Sequence, residues 1–496
     1  QILYLHLITN LLFFNPHFFI IIMESFIIKT IQLLAALSIL VIIHEFGHYF
    51  FARIFGIRAE KFYLFFNPYF SILRYDPRKR KVNFFCRNLT EKEDIERIKA
   101  VKEDTSKSGR ASWKDTIYGI GWIPLGGYVS IGGMIDESMN TEQMKESVHP
   151  TDFRAKPAWQ RFFVMVGGVL FNFILAIVIY TGIAYTWGEK YVQYTDAYAG
   201  MDYNPEAIKI GFQNGDIPLL ADGQKLLADD ENSIMKMVEA KQVTVLRNGK
   251  DTVIINIPDK FLLRMADQKV FMTYRWPAVA KDIMPGEPAA KAGMQPGDIM
   301  IAVNETSTPS CTEFMPALMK TAGKEAVVTV LRDGKKINLT VTPSEAGKLG
   351  FMLKMPTEIY KVTVRDYTLL ESVPKGISDG VNKLVTYVSS LKYLFTKEGA
   401  QSVGGFGAIG SLFPSSWSWL MFWEITAFLS VMLAFMNILP IPALDGGHIM
   451  FVLWEMITRK APSEKFLTYA QMVGMALLFA LLIFANANDI YRFFIK

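Results

Sequence analysis

Cysteine is almost absent from this 496-residue chain: there are two, Cys86 and Cys311. Two cysteines exclude a disulfide framework, and the topology argued below puts them on opposite sides of a membrane, where they cannot pair. Histidine is nearly as scarce, with six in all: His6, His17, His44, His48, His149 and His448. The opening QILYLHLITNLLFFNPHFFII lacks a basic start and a small-residue cleavage site, so it does not read as a signal peptide. Residues 1–22, ahead of the first methionine Met23, are read as an upstream, non-native extension. Net charge is only +5, and no nucleic-acid partner is expected.

What the chain has in abundance is apolar sequence. Hydrophobic residues make up 51% of it. Long runs account for this: Phe26–Phe55, Phe162–Trp187, Phe422–Leu439 and Phe466–Ala485. Each reaches or approaches the ~20 residues needed to cross ~30 Å of hydrocarbon. Four transmembrane helices are expected, within 23–57, 159–188, 418–448 and 464–490, and the lipid bilayer is an expected partner.

Basic residues are unevenly placed. About twenty lysines and arginines lie between Arg53 and Arg161, including DPRKRK at Asp76–Lys81. The positive-inside rule puts this segment in the cytoplasm. Parity then puts Glu189–Trp417 and both termini on the outer side, with Cys86 inside and Cys311 outside.

The region 58–158 is a cytoplasmic or re-entrant β region with a charged insert. Lys61–Arg74 is aromatic and β-prone, with a turn at Asn67-Pro68, and Gly121–Gly133 reads as short strands broken by glycine pairs. Both are too apolar for an ordinary loop and are expected to dip into the membrane face, against protein or a water-filled cavity. Glu91–Lys102 is patterned as a solvated helix.

The outer region repeats itself. Val279–Asn304 orders a strand, an Ala-rich helix, a Pro-Gly-Asp turn and a strand, and Val327–Val341 follows as a hairpin turning at Asp333-Gly334. Ala207–Gly223 and Val243–Ile257 echo that order, with Asn214-Gly215-Asp216 as the turn. The second copy resembles a bacterial PDZ domain. Two PDZ-like domains are expected, a degenerate one over 194–262 and another over 270–345, followed by a linker and amphipathic helix over 366–417. The expected fold is therefore a polytopic α-helical membrane protein with membrane-associated β segments and two extracytoplasmic PDZ-like domains.

One apolar run carries a contradiction. VIIHEFGHYF at Val41–Phe50 places two histidines and a glutamate inside a membrane helix. Charged groups there cost roughly 2.5–3.5 kcal/mol each. His44-Glu45-Phe46-Gly47-His48 is H-E-x-x-H, which puts both imidazoles on one helix face, able to share a metal, with Glu45 beside them to act on an attacking water. A structural zinc site returns roughly 10–16 kcal/mol, enough to offset the burial. Catalytic zinc takes three protein ligands. The third is sought in NILPIPALDGGH at Asn437–His448, where Pro440 and Pro442 break the helix. Asp445, placed in the unwound stretch, is preferred over His448.

At these residues the sequence resembles the site-2 protease family of intramembrane zinc metalloproteases, in its bacterial regulator-of-sigma-E branch. HEFGH, NILPIPALDGG, PLGGYV at Pro124–Val129 and WQRFFVMVGGVLFNF at Trp159–Phe173 carry the resemblance. It implies zinc held by His44, His48 and Asp445, Glu45 as catalytic base, and Asn437, Gly126, Gly127 and Asn172 as substrate-binding positions. Three features depart from the family pattern: Gly168-Val169 replaces a Gly-Pro, Phe65-Phe66-Asn67 replaces a Gly-aromatic-Gly strand, and the insert at Asp76–Trp113 is long.

The implied activity is cleavage of transmembrane segments in single-span proteins already cut by another protease, an anti-sigma factor or signal-peptide remnants. The implied location is the bacterial inner membrane, with the site toward the cytoplasm. The PDZ pair is expected to act as a size filter that blocks untrimmed substrates. A zinc transporter or a non-catalytic scaffold are the rival readings. Neither needs a glutamate fixed between two ligands together with LDGG and a PDZ pair.

Overall fold

The computed structural model describes residues 16–106, 108–124, 126–134, 147–230, 232–259, 261, 270–391 and 404–494. The chain forms two compact units, 1–187 with 367–496, and 188–366. Most of the extension expected at 1–22 lies outside the described residues, and Pro16 to Ile22 continue the first helix.

In the first unit, helix α1 (Pro16–Ile54) is apolar along its length and carries the H-E-x-x-H motif near its end. Gly56 stops it in a left-handed conformation (φ 68°), where its N–H bonds to Arg53 O at 3.1 Å and Ile57 N–H bonds to Ala52 O at 2.8 Å. A five-stranded sheet follows, built from β1 (Ala59–Leu64), β2 (Phe70–Asp76), β3 (Lys81–Arg87), β4 (Ile117–Ile120) and β5 (Tyr128–Ile131) in the order β3-β2-β4-β1-β5. The expected turn at Asn67-Pro68 joins β1 to β2. Between β3 and β4 lies α2 (Glu91–Ser106). Its sequence reads as a solvated surface helix and much of it is exposed, but Val101 is buried, Arg97 donates to Asp115 O at 2.8 Å, and Asp94 pairs with Lys61. The charged face is thus partly used for anchoring.

Helix α3 (Ala158–Trp187) is the hub of this unit. Around it pack α1, α4 (Leu369–Ser390), α6 (Trp419–Ile438) and α7 (Asp445–Thr458), while α5 (Phe406–Leu412) packs on α1 and α8 (Glu464–Phe494). Small residues permit the closest approaches, as expected between apolar helices. A Cβ on Gly47 of α1 would sit 2.2 Å from Gly167 O of α3, and one on Gly376 of α4 would sit 2.2 Å from Thr181 Oγ1.

Four helices are long and apolar enough to cross a membrane: Met23–Ile54, Ala158–Trp187, Trp419–Ile438 and Lys465–Tyr491. The third differs from expectation. It ends at Ile438, a kinked stretch follows with Ala443 at φ 80°, and a new helix begins at Asp445. Asp445 therefore opens a helix and does not lie in the irregular stretch. An acidic residue suits the positive end of the helix dipole. Gly446 and Gly474 make room for the kink, since a Cβ on either would lie within 2.0 Å of the carbonyl oxygens of Leu439 or Pro442 respectively.

The second unit opens with β6 (Glu189–Tyr191). The first repeat has β7 (Met201–Tyr203), then β8 (Ile217–Ala221), β9 (Gln224–Lys225), β10 (Gln242–Arg247) and β11 (Asp251–Asn256) in the sheet order β11-β10-β8-β9. β12 (Met272–Tyr274) pairs with β7, and Phe271 and Met272 fill the first core beside Phe212, Met237 and Val243. Residues 270–274 thus belong to the first repeat, although the sequence reading gave them to the second.

The second repeat has β13 (Ala278–Ile283), β14 (Ile299–Val303), β15 (Thr306–Ser307), β16 (Ala326–Arg332) and β17 (Lys335–Val341), closed by β18 (Phe351–Leu353) on β13. That last strand lies beyond the expected end at 345, because three residues are too few to show an alternating pattern. Finally β19 (Thr363–Arg365) pairs with β6, so this unit's entry and exit strands lie side by side.

Candidate metal and catalytic site

Three distant side chains meet in the first unit. His44 and His48 lie one turn apart on α1 and Asp445 is the first residue of α7. Their facing atoms form a near-equilateral triangle: His44 Nε2 to Asp445 Oδ2 is 3.2 Å, His48 Nε2 to Asp445 Oδ2 is 3.3 Å, and the two Nε2 atoms are 3.3 Å apart. The Asp445 Oδ2 atom is buried and, beyond this approach to the imidazoles, has no hydrogen bond among the described residues.

The outer atoms of the histidines are held by α3. His48 Nδ1 is 2.8 Å from Val164 O, and a carbonyl can only accept, so Nδ1 carries the hydrogen and Nε2 presents a lone pair. Asn172 Nδ2 stands 3.2 Å from the outer Nδ1 of His44, whereas Asn437 of α6 places its Nδ2 3.5 Å from the facing Nε2. Gly168 lies between these contacts. A Cβ there would fall 2.4 Å from His48 Nε2 and 2.6 Å from His44 Cε1, so the imidazoles occupy the space that a side chain would need.

The donor set fits zinc. A tetrahedral ion with N and O bonds of 2.0–2.1 Å holds its ligand atoms roughly 3.3 Å apart, which is the edge of this triangle. A carboxylate oxygen and two imidazole nitrogens this close together can share one cation when both nitrogens present lone pairs. Two imidazoles and a carboxylate, with one side open to a cavity, make the donor set of a catalytic rather than a closed structural site.

That cavity has a volume of about 1030 Å³. His44, Glu45, His48, Asn437, Asp445 and His448 all line it. Among the described residues the one grouping with metal-ligand geometry is His44, His48 and Asp445. His448 stands at the cavity wall outside it.

The free edge of β5 forms another wall, and the Glu45 carboxylate reaches the Val129 backbone N–H. Gly126 and Gly127 support this edge from behind and do not line the cavity. A Cβ on Gly127 would lie 2.7 Å from Val41 Cγ1 and 3.6 Å from Glu45 Cγ, and one on Gly126 would strike the Phe66 ring. Asn172 faces His44.

Three contributors escape the motif pattern. The Val164 carbonyl is backbone and leaves no trace in residue identity. The walls from α2 (Ile95, Ile98) and α8 (Gln471, Phe479) come from segments with no chemical motif, although the buried polar Gln471 inside an apolar run is a signal that could have been read.

Two imidazoles and a carboxylate converging on one point, a glutamate beside the first, and a cavity among helices of membrane-spanning character define a metal-dependent peptidase set in a membrane domain. The comparisons with known proteins agree. The model of peptidase family M50 matches residues 32–82 and 107–481. The chain is 26% identical over 507 residues to the regulator of sigma E protease of Haemophilus influenzae, covering 94% of this chain and all of that protein. It is 26% identical over 505 residues to protease RseP of Yersinia pestis, covering 95% and 100%, and 22% identical over 520 residues to metalloprotease MmpA of Caulobacter vibrioides, covering 95% and 97%. Other relatives carry zinc metalloprotease in their names. This chain belongs to peptidase family M50, the site-2 protease family. It is a zinc metalloendopeptidase and a multi-pass membrane protein.

Proposed function

We propose that the chain is an endopeptidase of the bacterial inner membrane that cuts the transmembrane segments of single-span proteins. The observation that carries this reading is the His44–His48–Asp445 triangle, open on one side to a cavity among apolar helices. His44, His48 and Asp445 hold zinc, which when bound supplies Lewis acidity to the scissile carbonyl and to an attacking water. Glu45 draws a proton from that water and returns it to the leaving nitrogen. Asn437 donates to the substrate backbone. A helical segment shields its own peptide bonds, so the substrate unwinds and pairs with the free edge of β5 by strand addition.

Two relatives are named for sigma E regulation or as RseP, which makes a membrane-anchored anti-sigma factor the favoured substrate class, with signal-peptide remnants second. The two repeats of the second unit are read as PDZ-like domains on the outer side of the membrane that exclude substrates not yet trimmed by another protease. The shared strand order and turn chemistry of the repeats support the PDZ-like reading.

Two experiments test these points. Purified Glu45→Gln protein is expected to keep one zinc and to lose cleavage of a single-span substrate by at least about 10³-fold, whereas His44→Ala loses both. Cleavage by Glu45→Gln at near wild-type rate contradicts the role of Glu45. For the topology, an impermeant thiol reagent applied to cells with a permeabilised outer membrane is expected to leave Cys86 unlabelled. Cys311 is buried in its domain, so denaturant is added after the reagent has reached the outer compartment, and labelling of Cys311 then follows. Labelling of Cys86 in a chain lacking Cys311 reverses the assignment.

A further inference from the structure

The two imidazoles are treated differently by α3. His48 has its hydrogen fixed on Nδ1 by the Val164 carbonyl at 2.8 Å. Among the described residues, no carbonyl stands against His44 Nδ1. The group against its Nδ1 is the Asn172 amide, with Nδ2 at 3.2 Å. If that nitrogen donates to Nδ1, the hydrogen of His44 moves to Nε2, where it points at Asp445 and blocks the lone pair that a metal requires.

An asparagine amide has a donor end and an acceptor end of nearly equal size. Asn172 is fully buried, and its Oδ1 has no hydrogen-bond partner among the described residues. Turning the amide end for end about Cβ–Cγ puts Oδ1 where Nδ2 stands, against Nδ1 of His44. The hydrogen of His44 then sits on Nδ1, and both imidazoles present the same lone pair toward Asp445.

The helix is built to hold this arrangement. Val164 and Asn172 are eight residues apart, close to two turns, so both face α1. Gly168 lies midway and leaves room for both rings. The backbone at Asn172 is fixed as well, since Ser430 of α6 donates its hydroxyl to Asn172 O at 2.7 Å.

We propose that Asn172 is a positioning residue for the metal site: its Oδ1 accepts the Nδ1 hydrogen of His44 and keeps Nε2 free to bind zinc. This rests on the reading of His44 as a ligand. It assigns Asn172 a role different from the substrate contact expected from sequence. One face of α3 thus supplies the outer shell of both histidines, a backbone carbonyl for one and a side-chain carbonyl for the other. Groups of this kind typically change metal affinity 10–100-fold when removed.

The test uses the purified full-length chain and zinc alone. Zinc dissociation constants are measured by competition with a chromogenic chelator for wild type, Asn172→Leu, Asn172→Asp and His44→Ala, and KM and kcat are measured on one substrate. Asn172→Leu is expected to weaken zinc binding about 10–100-fold. Asn172→Asp, which can only accept, is expected to restore wild-type affinity, and KM measured at saturating zinc is expected to stay unchanged in both. Should the leucine variant not accumulate, Asn172→Ala repeats the measurement. An aspartate variant as weak as the leucine variant overturns the proposal, because the amide would then be acting as a donor or as packing. Unchanged zinc affinity in Asn172→Leu with raised KM overturns it in favour of substrate contact. Retention of wild-type zinc affinity in His44→Ala is a different failure, that of the ligand assignment itself.

Discussion

Buried carboxylates are handled in two ways in this protein. In the two repeats of the second unit, Asp216 and Asp298 stand in equivalent turns, and each is gripped by an arginine from the strand opposite. Arg247 reaches Asp216 at 2.7 and 2.8 Å and also donates to Gly211 O, while Arg332 reaches Asp298 at 2.6 and 2.7 Å and also donates to Gly293 O. Backbone N–H groups of Gln213 and Gln295 complete each pair. Asp445 is less enclosed, since it lines the cavity, and among the described residues its basic neighbours are two imidazole nitrogens and no arginine or lysine. A carboxylate supplied with its own cation is structural. One that faces lone pairs is short of a cation, and that shortage is the sign of a metal site.

The comparison can be broken from the structural side. Arg247→Leu leaves Asp216 buried without its partner, at a cost of roughly 3 kcal/mol, the low end for a buried pair because the guanidinium is partly exposed. Amide exchange in Ile217–Ala221 is expected to accelerate while zinc content stays at wild type, and loss of zinc instead would show that the repeats and the metal site are not independent.

A smaller effect follows from acid. Burial raises the affinity of Asp298 for a proton, but the Arg332 hydrogen bonds and the Gln295 N–H more than offset this and hold its carboxyl below the ordinary value. A depressed folded value means that the stabilisation is complete above the ordinary carboxylate pKa, about 4, and is lost as pH falls below it. Exchange in Ile299–Val303, corrected for its intrinsic rate, should therefore be flat from pH 7 to 5 and rise below 4. A rise that begins near pH 6 would place the stabilising group elsewhere.

The sequence disclosed the chemistry more fully than the architecture. H-E-x-x-H is legible because helical periodicity alone puts His44 and His48 on one face, and Asp445 is legible because few polar residues occur at the depth of the apolar runs. The repeat was visible in its turn residues, down to the aspartates that became the clamps, although their arginine partners were not singled out. What stayed hidden depends on contacts across the fold. The kink that starts α7 at Asp445 is set by Gly446 and Gly474 against backbone carbonyls. The assignment of Met272–Tyr274 to the first repeat is decided by pairing with β7. The orientation of His48 is decided by a carbonyl of Val164 that any residue would carry. The charged pattern of α2 predicted solvation, but Arg97 and Asp94 are spent on anchoring and its apolar side walls the cavity. The family model passes over residues 83–106, which contain that helix.

The central claim is that His44, His48 and Asp445 share one zinc ion. The most direct measurement is the zinc content per chain of purified wild type, Asp445→Ala and His448→Ala, each after identical dialysis against a weak chelator. The account predicts one zinc in wild type, one in His448→Ala and a loss of most of it in Asp445→Ala. Full zinc in Asp445→Ala with depletion in His448→Ala would contradict it and move the third ligand three residues along the same helix.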